Sequence, residues 1–315
     1  MTQLRVAVAQ VRATRRTEEA LEKIVRFAQE AREAGADLVV FPEALLGGYP
    51  RGASFGATVG DRTWAGREEF AAYARAAVTL PGPEIDRLGE IAREHRLHLV
   101  VGLIERAGST LYCGAVTLDD TGHVIGTRRK VMPTASERLI WGQGDGSTLQ
   151  VTPTRIGRLA TVICWENLMP ALRLGFYAQG VDIWCAPTAD ARDVQLATMR
   201  HIAVEGRCFV LASNQVAQAR DLAAEFSTQY DDPDAVVCRG ASVIVNPFGE
   251  VLAGPLHDDE GLLVADIDLD DVTRGRYDFD AAGHYSRPDI FTLMVDTRAK
   301  SAVSWFGDAE APPVE

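Results

Sequence analysis

Residues 4–43, LRVAVAQVRATRRTEEALEKIVRFAQEAREAGADLVVFPE, decide the fold. The first eight, LRVAVAQV, alternate apolar and polar positions, the period of a half-buried strand. Thr17 then stands where a side-chain oxygen can cap a helix, and Glu18 and Glu19 in the next turn suit the positive end of the helix dipole. That helix is expected to run to about Ala34, with Gly35 leaving it. DLVVF, 37–41, reads as a buried strand ending at Pro42 and Glu43. Strand, helix, strand is the unit of a sheet with helices laid against it.

The same alternation extends along the chain. A helix is expected from about Pro83 to Arg96, followed by the strand HLVVGLIE, 98–105, and by two strands in AVTLDDTGHVIGTRRKV, 115–131, folded over Asp119 to Gly122. RIGRLATVIC, 155–164, reads as one strand, followed by an amphipathic helix near Met169 to Gln179 and the strand VDIWCAPT, 181–188. A helix from about Val194 to Arg207, a strand CFVLASNQV, 208–216, and a hairpin ASVIVNPFGEVLAGPL, 241–256, complete the expected core. Asn246 to Gly249 supply the hairpin turn. Two rounds of strand and helix predict an α/β fold with sheets back to back and helices outside.

With 315 residues, 47% of them hydrophobic and 24% charged, the composition is that of a globular protein able to bury a large core. No Pro/Ser/Gly-rich linker divides the chain, so one domain over 1–295 is expected, with a C-terminal tail at 296–315. A net charge of −12 opposes nucleic-acid and anionic-membrane partners. No apolar run approaches the roughly 18 residues that span a bilayer, and no signal peptide precedes the first strand, so a cytoplasmic protein is expected. The five cysteines form no CxxC pair and the six histidines no paired ligand spacing, so neither a disulfide framework nor a bound metal is expected.

Cys164 ends an apolar run in VICWENLMP, 162–170, where a strand gives way to a loop. A free cysteine there is either a small core residue or a nucleophile. A thiol with its ordinary pKa needs a base or a cation nearby. Two other strand ends carry them: Glu43 after DLVVFP and Lys130 after GHVIGTRR. Cys185, in DIWCAPT, has apolar flanks and no carboxylate beside it, and reads as core.

FPEALLGGYPRG, RRKVMPTASERLIWGQGDGS, GRLATVICWENLMP, APTAD, GASVIVNPFGEVLAGP and DFDAAGHYSRPDIF occur in an order that resembles the nitrilases of the carbon-nitrogen hydrolase superfamily over nearly the whole chain. The resemblance implies a four-layer αββα sandwich. It implies a catalytic set of Cys164 as nucleophile, Glu43 as general base, Lys130 as cationic stabiliser and Glu137 as a second carboxylate beside the lysine. Tyr49, Trp165 and Thr188 are expected at the substrate. Glu166 reads as a structural acceptor that orients the cysteine loop, and His284 and Arg287 as packing or interface residues.

The resemblance further implies hydrolysis of a small-molecule nitrile, arylaliphatic or aliphatic, to acid and ammonia without a cofactor, in a homodimer or higher homo-oligomer. Arg128 stands where relatives commonly carry histidine, and is expected to alter pocket charge or subunit contacts. Two alternatives stay open: an amidase or carbamoylase using the same residues on a carbonyl, and a non-catalytic binding protein that retains the fold.

Overall fold

Alternation along the strands sorts the side chains into separate cores. In the computed structural model, which describes residues 3–222, 230–301 and 303, strand β1 (Gln3–Arg12) sends Ala7, Ala9 and Val11 to one face and Leu4, Val6 and Val8 to the other. The first set packs against helices α1 (Thr17–Glu33) and α3 (Pro83–His95), together with β2 (Leu38–Val40) and β5 (His98–Ala107). Between β2 and α3 lie a short hairpin, β3 (Ala57–Thr58) and β4 (Asp61–Arg62), and helix α2 (Trp64–Ala76). β6 (Thr110–Leu118) and β7 (Val124–Arg129) complete the first half.

The second half repeats the scheme. β8 (Thr152–Thr154), β9 (Gly157–Thr161), helix α4 (Pro170–Tyr177), β10 (Ile183–Thr188), helix α5 (Val194–Gly206) and β11 (Phe209–Gln218) are followed by β12 (Val236–Val245) and β13 (Val251–His257). Trp184, Ala186, Val210 and Ala212 face α4 and α5, whereas Ile183, Cys185, Phe209 and Leu211 face the first sheet. β14 (Gly261–Asp268) returns to pair antiparallel with β1 from Gln3↔Asp268 to Gln10↔Gly261, and α6 (Asp270–Asp278) follows.

Apart from the β3–β4 hairpin, the strands form one branched hydrogen-bonded network of twelve, and the short pairing of β1 with β11 at Val11↔Gln215 and Arg12↔Val216 joins its two leaves, β7-β6-β5-β2-β1-β14 and β8-β9-β10-β11-β12-β13. Helices cover each outer face and an apolar layer separates the leaves, so the molecule is the expected αββα sandwich. Cys185 lies in that middle layer, as its flanks predicted.

Several elements differ from the sequence expectation. Thr17 is the first residue of α1 rather than its cap; its hydroxyl donates to Ala76 O at 2.9 Å. RIGRLATVIC is not one strand. Gly157 takes φ +108 and Thr154 Oγ1 donates to Gly157 O at 2.6 Å, so Arg155 and Ile156 form the turn between β8 and β9. α2, β14 and α6 were not anticipated. Residues 302 and 304–315 of the expected tail lie outside the described residues. Among the described residues no helix is long and apolar enough to cross a membrane.

Candidate active site

Strand direction gathers the predicted residues at one edge. β1, β2 and β5 run parallel, β7 shares their direction through two antiparallel steps, and β9, β10 and β11 run parallel in the other leaf. Because β1 is parallel to β11, all these strands end on the same side. Glu43 follows β2, Lys130 follows β7, Cys164 follows β9 and Thr188 closes β10, the edge where α/β sheets present chemistry.

Lys130 is fully buried, and its Nζ donates to Glu43 Oε1 and to Glu137 Oε2, each at 2.8 Å. Burial opposes the ammonium, yet Glu43 and the surrounding thiols and carboxylate hold its pKa above the ordinary lysine value, so it stays charged. Glu137 Oε2 also accepts from the Thr134 N–H at 2.6 Å, and its Oε1 accepts from the Tyr49 hydroxyl at 2.7 Å. Burial and the nearby carboxylates push the Tyr49 phenol up, which keeps it a donor. Burial likewise pushes the Glu43 carboxyl up, against the opposing pull of Lys130.

Cys164 begins a 3-10 turn, Cys164–Leu168, at φ +51, a left-handed backbone that a residue with a β-carbon adopts at a cost. Asn167 holds the turn, its Nδ2 donating to Cys164 O at 2.7 Å and to Val162 O at 3.1 Å while its Oδ1 accepts from Trp184 Nε1 at 2.7 Å. Burial, then Glu43, pushes the Cys164 thiol up to about 12; Lys130, the Ala189 N–H and the Thr188 hydroxyl favour the thiolate but do not prevail. The resting species is therefore a thiol, whose proton must be taken during attack. Glu43 is close enough for the thiol to favour its ionised form, and its Oε2 has no hydrogen-bond partner among the described residues.

Glu166 ties the two loops together. Its Oε1 accepts from the Val131 N–H at 2.7 Å and its Oε2 from the Ile163 N–H at 2.8 Å, the neighbours of Lys130 and Cys164. Arg128 Nη2 donates to both oxygens at 3.0 and 3.1 Å, and Arg128 Nε donates to Thr161 O at 2.9 Å. Arg128, expected to alter pocket charge or subunit contacts, adds no free charge to the cavity: it is 5% exposed, and its charge is matched by a buried carboxylate inside the fold.

A cavity of about 410 Å³ opens over Cys164, with Tyr49, Arg51, Glu137, Trp165, Asp190 and Arg192 in its wall. Trp165 donates from Nε1 to Asp190 Oδ2 at 2.8 Å, and Arg192 pairs with Asp190 at 2.6 Å while lying 4.6 Å from the indole centroid. Burial would raise the Asp190 carboxyl, but the hydrogen bonds from Arg192 and Trp165 hold it below the ordinary value. Thr188 is not in the wall of this cavity; its hydroxyl reaches the Cys164 thiol and also accepts from the Asp190 N–H at 3.1 Å. His284 and Arg287 lie away from the cavity, Arg287 paired with Asp289 at 2.7 Å. Sequence reasoning missed Arg51, Asp190 and Arg192, although Arg51 and Asp190 lie within the motifs GGYPRG and APTAD. Among the described residues no cluster of His, Cys, Asp and Glu is arranged to hold a metal ion.

Residues 5–277 match the family described as carbon-nitrogen hydrolase. A nitrilase of Bradyrhizobium diazoefficiens is 54% identical over 284 residues, covering 90% of this chain and 88% of that protein. An aliphatic nitrilase of Sinorhizobium fredii is 49% identical over 305 residues, covering 96% and 99%. A bifunctional nitrilase/nitrile hydratase of Nicotiana tabacum is 51% identical over 290 residues, covering 90% and 83%. Among solved structures, a carbon-nitrogen hydrolase from Helicobacter pylori matches with a TM-score of 0.72 at 19% identity, covering 92% of this chain and 97% of that one. That likeness speaks for the fold, and the sequence matches speak for the branch: the chain belongs to the carbon-nitrogen hydrolase superfamily, within its nitrilases.

Proposed function

We propose that this protein hydrolyses an organic nitrile to the carboxylic acid and ammonia through a covalent adduct on Cys164. One observation carries the proposal: a buried ammonium shared by two carboxylates beneath a cavity that opens onto a strained cysteine. A nitrile carbon is a weak electrophile, so its nitrogen must gain a proton as sulfur attacks. Glu43 takes the thiol proton and passes it to that nitrogen, giving a thioimidate. Lys130 stabilises negative charge as it develops, and Glu137, held by Tyr49 and Thr134, fixes the ammonium in place. Water deprotonated by Glu43 adds to the thioimidate carbon; loss of ammonia leaves a thioester, and a second water releases the acid and restores the thiol.

The tetrahedral intermediate can instead expel the thiol and leave an amide. The relatives from Nicotiana tabacum and Lupinus angustifolius named bifunctional nitrilase/nitrile hydratases favour a measurable amide fraction. The relative named an aliphatic nitrilase supports an aliphatic or arylaliphatic substrate. Ammonia release from such nitriles, with acid and amide quantified separately and the matching amides as controls, tests the activity. Cys164→Ala should abolish turnover while the protein stays folded; nitrile hydrolysis retained in that variant overturns the mechanism. We further propose a homodimer or larger homo-oligomer, supported by the exposed apolar side chains of Ile290, Phe291 and Met294 beyond α6.

A further inference from the structure

Cys113 lies on β6, 1% exposed, in the small apolar core beneath the site. Its sequence position gives it no motif, and its distance along the chain from Glu43 hides any relation between them. In the folded protein its Sγ donates to Glu43 Oε1 at 3.4 Å, the oxygen that also receives Lys130 Nζ at 2.8 Å. Its backbone carbonyl accepts from the Lys130 N–H at 2.8 Å. One residue therefore holds the carboxylate through its side chain and the cation through its main chain.

We propose that Cys113 is a positioning residue for the reaction: by donating its S–H to Glu43 Oε1 it commits that oxygen and leaves Oε2 to move the proton. The inference rests on Glu43 acting as the base and Cys164 as the nucleophile. A carboxylate oxygen that already accepts two hydrogen bonds is the weaker base of the pair, and Oε2 has no partner among the described residues. The groups that face Glu43 are Lys130 from the end of β7, Glu137 from the following turn, Cys164 from the turn after β9, Tyr49 from the loop after β2, and Cys113 from β6. Tyr49 is spent on Glu137, Lys130 is shared with it and the Cys164 thiol carries the proton to be moved, so Cys113 is the neutral donor left to hold Glu43. Burial keeps the Cys113 thiol far above its ordinary pKa, so it remains a donor throughout the working range. A hydrogen bond to the ionised carboxylate favours that form and opposes the effect of burial on Glu43.

The test compares Cys113→Ala, Cys113→Val and Cys113→Ser with the unmodified enzyme, measuring kcat, KM and their pH dependence on one nitrile beside the melting temperature. Cys113→Val nearly preserves volume without a donor, whereas Cys113→Ser keeps a donor. Loss of the donor should lower kcat about fivefold to tenfold with KM little changed, and should move the acid limb of the profile upward by about half a pH unit or more. Cys113→Ser should recover most of both. An unchanged kcat and acid limb in Cys113→Val, whatever happens to its melting temperature, overturns the proposal, because packing alone would then account for the residue. So does a folded Cys113→Ser that behaves like Cys113→Val. Failure of the underlying mechanism is read separately, as turnover by Cys164→Ala.

Discussion

A fully buried ammonium between two carboxylates is stable only as a set. Lys130→Met would leave Glu43 and Glu137 facing one another without a cation, and removal of one partner of a buried ion pair costs about 3–5 kcal/mol. Thermal or urea unfolding at neutral pH should register that loss, and it should shrink as the pH falls and the carboxylates take up protons. The raised Glu43 pKa also fixes a sign for activity. A base must be unprotonated to work, so kcat/KM should climb with pH through a limb lying above the ordinary glutamate value of about 4.3; a limb at or below that value contradicts the burial of Glu43. The convergence of Glu43, Lys130 and Cys164 was legible in the sequence because each stands at or just beyond the end of a strand. Cys113 was not, since its proposed role is a contact with a residue remote in the chain, and the contact of Thr188 with the Cys164 thiol likewise leaves no local trace.

At the scale of elements, the site depends on how closely neighbouring segments approach. A β-carbon on Gly102 of β5 would lie 2.2 Å from Pro42 O and 2.7 Å from Glu43 Cα, so Gly102→Ala must push the loop that carries the base. The Gly102 carbonyl also receives the Leu45 N–H at 2.9 Å, which ties the same loop to β5. Activity in that variant should fall at least tenfold at saturating substrate, with a lower melting temperature; wild-type kcat would mean the loop tolerates displacement. Arg128 and Glu166 work at the same scale, joining the end of β7 to the turn after β9. Arg128→Met alone should cost about 3–5 kcal/mol by stranding Glu166, and adding Glu166→Gln should return part of it. The strand-helix alternation of residues 4–43 was legible because α1 carries one apolar face while β1 and β2 are short apolar runs buried on both faces. α2 buries only Gly66 and Tyr73, and β14 is half-covered along most of its length, so neither carries a strong period.

Across the whole molecule, two leaves that share one middle layer make the site a property of their junction. Glu43 and Lys130 come from one leaf and Cys164 from the other, so slippage between leaves would part base from nucleophile. The Glu166 bridge and the β1–β11 pairing resist that slippage from within. The proposed homo-oligomer rests on the surface. Ile290, Phe291 and Met294 follow α6 with 57%, 77% and 89% exposure, a run of apolar side chains that a protein of net charge −12 has no solubility reason to display. Covering them with the same segment of another copy would remove that surface from water. Light scattering on a sizing column should therefore report a dimer or larger assembly. Phe291→Ser combined with Met294→Ser should shift it toward the monomer, with the melting temperature then less dependent on protein concentration. A monomer at micromolar concentration before any substitution, or an assembly untouched by both, would remove this segment from the interface.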